Sequence, residues 1–178
     1  MKHLNDYHAK YEDGSFGGWA PLNIPSEKRR EQSGYGEGQL QASSIIASLQ
    51  KNGKGKIIET IKVITHSMGA AYAKGYVQAI LEYAHALGIT IPLIAFEADF
   101  APYEPDKQTA VKDPLMGPTK QYSHNKDWVA HSKPEQGAEQ EDTSKDQNQT
   151  HWISDFMQQI QTLPAGTYKV VDGKIVPQ

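Results

Sequence analysis

Residues 56–88 read KIIETIKVITHSMGAAYAKGYVQAILEYAHALG, and the order of residue types in that stretch decides the fold. Ile57 to Thr65 is an apolar, β-branched run of the kind a buried strand requires. It stops at Thr65-His66-Ser67-Met68-Gly69, and an amphipathic pattern starts at once. From Met68 to Leu87, the apolar Tyr76, Val77, Ile80, Leu81, Ala84 and Leu87 share one helical face, and Lys74, Gln78, Glu82 and His85 share the other. Gly88 suits the position just past a helix C-terminus, and Ile89 to Phe96 resumes as an apolar strand. This is a strand–turn–helix–strand unit, whose strands pair in parallel across a crossover helix. A serine at such a corner stands clear of the backbone, with a helix N-terminus beneath it that favours developing negative charge. So tight a corner asks for small residues two before and two after the serine; Gly69 meets that need and Thr65 nearly does. The plainer alternative is a βαβ unit whose Ser67 merely caps the helix.

Working outward, Gln39 to Gln50 reads as a helix with Ala42, Ile45, Ile46 and Leu49 on a common face, ended by Asn52-Gly53. Residues 1–37 are polar and rich in turn formers (Gly14, Gly17, Gly18, Pro21, Pro25), and read as an irregular N-terminal arm before a single α/β domain over residues 38–178. Prolines at 102, 105, 114 and 118 exclude regular structure from Pro102 to Pro118, a lid or pocket wall beyond the sheet edge, or a plain surface excursion. Lys120 to Ser123 reads as a short strand leading to Asp127, and Glu135 to Thr150 as a charged, Gln-rich, mobile tract. Trp152, Ile153, Phe156, Met157 and Ile160 share one face of a last helix. Thr167 to Val176 reads as a hairpin turning at Asp172-Gly173.

A chain of 178 residues can bury one real core and is too short for two well-developed domains. The apolar fraction of 38% and mean hydropathy of −0.63 fit a soluble protein with much loop. A net charge of −3 without a basic stripe argues against nucleic acid as partner. With no cysteine, disulfides and thiolate metal sites are excluded. No apolar run reaches membrane-spanning length, and Met1 to Lys10 lacks the apolar core of a secretory signal. The expectation is a cytoplasmic protein, or export by a non-classical route within a larger one. Neither His3 with His8 nor His124 with His131 has the i, i+4 spacing beside an acid that zinc helices use, and no glycine-rich phosphate loop follows a strand. No metal and no cofactor are expected.

Thr65-His66-Ser67-Met68-Gly69-Ala70 resembles the His-Ser-Met-Gly elbow of α/β-hydrolases, small lipases and esterases in particular, over about residues 38–165. The family usually has Gly where Thr65 stands, and some of its lipases carry Thr there. The resemblance implies a reduced α/β-hydrolase-like three-layer domain with a mostly parallel sheet. It also implies that acid and then histidine follow the nucleophile, since a serine attacks well only when an oriented histidine takes its proton. Of the downstream histidines, His85 faces away on the polar side of the elbow helix, leaving His124, His131 and His151. His151, on the loop entering the last helix, stands where the family's base resides. Two acids compete. Asp99, in Glu97-Ala98-Asp99-Phe100-Ala101-Pro102, ends the strand after the elbow helix, at the sheet edge where open α/β folds bind ligands. Asp127, in Tyr122-Ser123-His124-Asn125-Lys126-Asp127-Trp128, looks like the family's acid loop, and the resemblance favours it.

One oxyanion donor would be the backbone N–H of Met68. The family's other donor follows an earlier apolar strand, and none is visible between Met1 and Gln39, where Gly17-Gly18-Trp19 is the single candidate loop. Either those first strands are absent, or an upstream segment or partner completes the fold. The activity implied is a serine carboxylic-ester hydrolase, lipase- or esterase-like, acting on small-molecule or lipid esters through an acyl-enzyme on Ser67. A looser resemblance to the hydrolase-like C-terminal regions of bacterial Rhs-type toxins, through the elbow, Asp99-Phe100-Ala101-Pro102 and Leu163 to Tyr168, implies an antibacterial effector. The rival is a non-catalytic binding module that keeps the sheet without a complete oxyanion hole.

Overall fold

The computed structural model describes residues 9–14, 27–130, 133–140, 150–164, 166, 168–171 and 174–177. Its elements run α1 (Glu27–Ser48), β1 (Ile61–His66), α2 (Gly69–Ala86), β2 (Ile94–Phe100), β3 (Thr119–Tyr122), β4 (Glu139–Gln140), α3 (Met157–Thr162), β5 (Tyr168–Val171) and β6 (Lys174–Pro177). Strands β1 to β4 form one sheet in sequence order, every pair parallel. β5 and β6 pair antiparallel as a C-terminal hairpin, whose expected turn at Asp172-Gly173 lies outside the described residues. The fold is α/β. Among the described residues no helix is long and apolar enough to cross a membrane.

Two apolar clusters flank the sheet, and strand alternation explains which residue joins which. Ile61 and Val63 of β1 pack with Val77, Ile80, Leu81 and Ala84 of α2. Ile64 instead packs with Phe96, Ala98 and Phe100 of β2, Tyr122 of β3, Phe156 and Leu163. β2 is buried along its whole length, as a central strand covered on both faces must be. Even-numbered β1 residues therefore face the C-terminal segment, and Val63 and Thr65 face α2.

α1 lies along α2, and two glycines set the distance. A Cβ at Gly34 would stand 1.9 Å from the Tyr72 carbonyl oxygen, and one at Gly75 would stand 1.9 Å from that of Glu31. The helix backbones touch where a side chain would force them apart. α2 ends as expected: Gly88 has φ 71°, and Ile89 N–H returns to the Ala84 carbonyl at 3.0 Å in a Schellman closure.

Four expectations are corrected. α1 starts at Glu27, so the last part of the arm assigned to residues 1–37 is helical; Gly34 and Gly38 lie within this helix, against the backbone of α2. The proline-rich stretch holds a short 3-10 helix at Pro105–Lys107. The tract from Glu135 does not start mobile, since Glu135 is buried and β4 follows it. The last helix opens as a 3-10 turn, Ile153–Phe156, before the six residues of α3, and Trp152 is 73% exposed rather than on an apolar face.

Candidate active site

Ser67 sits at the corner between β1 and α2 with φ 55°, left-handed backbone that few non-glycine residues adopt. Three bonds hold it there. Its N–H donates to the Phe100 carbonyl at 3.0 Å, and its carbonyl accepts from Tyr103 N–H at 3.1 Å and Ala70 N–H at 3.2 Å. Gly69 fills its expected place, yet a Cβ built there meets nothing within 4 Å, so the corner does not demand glycine by contact. Instead the backbone of Gly14 approaches Gly69, and the buried Arg30 guanidinium donates to the Gly14 carbonyl at 2.9 Å.

His151 meets Ser67 directly: its Nε2 lies 2.7 Å from Ser67 Oγ. On the other side of the ring, Nδ1 lies 2.7 Å from Asp127 Oδ2. Asp127 is 1% exposed, and its Oδ1 accepts from the N–H groups of Val129 at 2.8 Å and Ala130 at 3.1 Å. Burial pulls the Asp127 carboxyl up, but the bonds from His151, Ala130 and Val129 outweigh it and hold the group below the usual carboxylate range. An ionised carboxylate only accepts, so Nδ1 of His151 carries the proton and Nε2 is left to accept from the serine hydroxyl. Such a chain can pass a proton from serine to imidazole while the carboxylate stabilises the imidazolium that forms.

The other candidates stand elsewhere. Asp99 does not approach His151: Oδ1 accepts from Thr65 Oγ1 at 2.5 Å and Oδ2 from Lys74 Nζ at 2.6 Å. It serves the interior, because residue 99 alternates onto the α2 face of β2. His124 is buried and stacks on Phe156 at 4.2 Å between ring centroids, and His85 contacts Asp113 at 2.8 Å on the surface. His131 and Gly17-Gly18-Trp19 lie outside the described residues. Met68 precedes the first turn of α2, and none of the described residues accepts from its backbone N–H.

Beneath the elbow lies a charge cluster that the helical pattern misassigned. Lys74 belongs to the polar face by periodicity, yet it is buried against Glu97 at 3.1 Å, Asp99 at 2.6 Å and Glu135 at 2.7 Å. Burial alone would lower the lysine; the three carboxylates reverse that and raise it. Burial, and then the charge of Asp99, push Glu97 up to about 7 and Glu135 up to about 8. The sequence signal was two acids alternating inside an otherwise apolar strand. The ammonium sits where a cation would, and among the described residues no group of three or more His, Asp or Glu could hold a metal ion. A cleft of about 380 Å³ lined by Glu31, Lys74, Gln78, Thr109 and Asp113 reaches this cluster, but Ser67, Asp127 and His151 do not line it.

Comparison of the chain with protein-family models, with curated proteins and with solved structures returned no match, so the reading of this site rests on its geometry.

Proposed function

We propose that this chain is a serine carboxylic-ester hydrolase that works through an acyl-enzyme on Ser67. One observation carries the proposal. Side chains at 67, 127 and 151, far apart in the chain, form one hydrogen-bonded line with both links at 2.7 Å. In the first half-reaction Ser67 Oγ bonds to the ester carbonyl carbon as His151 Nε2 takes its proton. Met68 N–H, at the positive end of α2, donates to the oxyanion. The tetrahedral intermediate expels the alcohol, which leaves with the proton from His151. Water then attacks the acyl carbonyl, His151 takes its proton, and collapse returns that proton to Ser67 and frees the acid. Asp127 keeps the ring in the productive tautomer throughout.

A fluorophosphonate probe tests this, because only an activated serine forms the phosphonyl ester. Wild type should label, Ser67→Ala should not, and ester turnover should fall by on the order of 10⁶ where serine, histidine and acid act as a unit. A preference for esters over amides, for lipids among them, and an antibacterial effector role follow from the family likeness of the elbow and the end segment.

A binding module is the second reading, and one observation favours it. β1 is the last strand on its side of the four-stranded sheet, and among the described residues no strand beyond it offers a second oxyanion donor. Equal labelling of wild type and Ser67→Ala would make that reading the better one.

A further inference from the structure

Even-numbered residues of β1 grip the C-terminal segment at three successive heights. Lys62 Nζ donates to the carbonyls of Pro164, at 3.1 Å, and Gly166. Ile64 packs into the cluster that holds Phe156 and Ile160. At the top, His66 Nε2 lies 2.7 Å from the backbone carbonyl oxygen of His151, with the two rings 5.2 Å apart and tilted by 42°. Along β1 the segment is thus held first near 164, then near 160, and last at 151.

We propose that His66 is a positioning residue: by donating Nε2–H to the main chain of His151, it fixes the height at which that imidazole meets Ser67. The inference rests on the ester-hydrolase reading for its consequence in rate, but not for its geometry. A carbonyl oxygen only accepts, so Nε2 of His66 must carry the proton, and the neutral ring is the Nε2–H tautomer. Without this bond, His151 is oriented at one end of its ring only, by Asp127, while its main chain hangs from a loop. Thr150, bonded to Asp155, anchors the loop from below. His66 anchors it from the strand that ends in the nucleophile, so serine and base keep one common reference. The neutral form matters as well. Burial, with a smaller contribution from the charge on His151, holds His66 below the ordinary histidine value, so no positive charge opposes the imidazolium that His151 becomes.

Leucine and glutamine at position 66 separate the donor from the bulk. His66→Leu removes the N–H; His66→Gln places an amide N–H close to where Nε2 lies. Misplacing a reacting group by about 1 Å costs on the order of 10²-fold. The second-order constant for phosphonylation should therefore fall about 10- to 100-fold in His66→Leu and stay within about threefold of wild type in His66→Gln. Nuclear magnetic resonance supplies a readout free of chemistry. Wild-type His66 should be the Nε2–H tautomer, and the downfield Nδ1–H signal of His151 on Asp127 should survive in His66→Gln and broaden or vanish in His66→Leu. If His66→Leu does not fold, the tautomer and the Gln variant still decide. An Nδ1–H tautomer at His66, a Gln variant as slow as the poorest mutant, or a Leu variant with unchanged rate and signal would overturn the proposal. Wild type that never labels would defeat the hydrolase reading instead, while the tautomer and the downfield signal would still judge this one.

Discussion

Raising the pH should loosen this fold from within. Among the described residues, Lys74 is the one ammonium facing the buried carboxyls Glu97 and Asp99 of β2 and Glu135 of the loop before β4. Thr65 and Thr119 add hydroxyls to Asp99 and Glu97. One positive charge cannot balance three buried negative ones, so the cluster keeps protons that the unfolded chain has released. Glu97 is pushed up to about 7 and Glu135 up to about 8 from an ordinary 4.5. Folded values above unfolded ones mean that the contribution is whole below the unfolded value and is lost as pH rises through the folded values. His66 acts oppositely: its lowered value weakens the fold as pH drops below the ordinary 6.5. The informative window therefore runs from about pH 6.5 to about 8.5, where linkage over the two carboxyls gives a loss of about 3 kcal/mol, roughly two-thirds of it from Glu135. For a chain of this size that is about 6–12 °C in Tm. Calorimetric melts across the window should show that fall in wild type. In Glu135→Gln, which keeps the shape of the neutral acid, the fall should shrink to about 1 kcal/mol. A flat wild-type profile, or the same slope in the variant, would refute the assignment of trapped protons to this cluster.

Two more outcomes follow from the contacts. Asp127→Asn keeps the shape but offers an amide to Nδ1, so kcat should drop by about 10⁴. Asp99→Asn should lower stability, read by melting, and leave the pH profile of turnover unchanged, because Asp99 holds Lys74 and Thr65 rather than His151; pH–rate curves distinguish the two acids. Gly34→Ala drives a Cβ to 1.9 Å from the Tyr72 carbonyl oxygen. Overpacking of this kind costs about 1–3 kcal/mol or more, measurable by urea unfolding, whereas Gly36→Ala, with open space around it, should stabilise the helix.

What could be read from sequence was whatever local periodicity encodes. The β1–α2–β2 unit, its glycine closure and the serine corner all lie in one unbroken stretch with clear period-2 and period-3.6 patterns. The partners of Ser67 were reached through chain order and loop position, and choosing Asp127 over Asp99 needed resemblance, since both are loop- or edge-placed acids. The structure separates them by a simple alternation: Asp99 points to the α2 side of β2, away from His151. Lys74 escaped because helical periodicity cannot say that the facing strand carries acids of its own. His66 escaped for a related reason. Its partner is a main-chain carbonyl, and backbone acceptors leave no mark in a sequence.

The left-handed serine shows why these pieces belong together. A non-glycine residue at φ 55° costs about 1–3 kcal/mol and persists only where surroundings over-determine it. Here both ends of the serine backbone are bound to the far end of β2: N–H to Phe100 and carbonyl to Tyr103. The chain between these two partners is itself bent, with Ala101 at φ 45° and its N–H on the Tyr122 carbonyl of β3 at 2.7 Å. The strain at Ser67 is thus held by three adjacent strand ends, with Thr65 on Asp99 below and His66 on His151 above. A serine needed only as a helix cap would have no use for this bracing, because capping geometry is ordinary extended backbone. Such bracing fixes the half-buried Ser67 hydroxyl against the His151 ring, and the strained corner and the 2.7 Å contact to His151 are two faces of one arrangement.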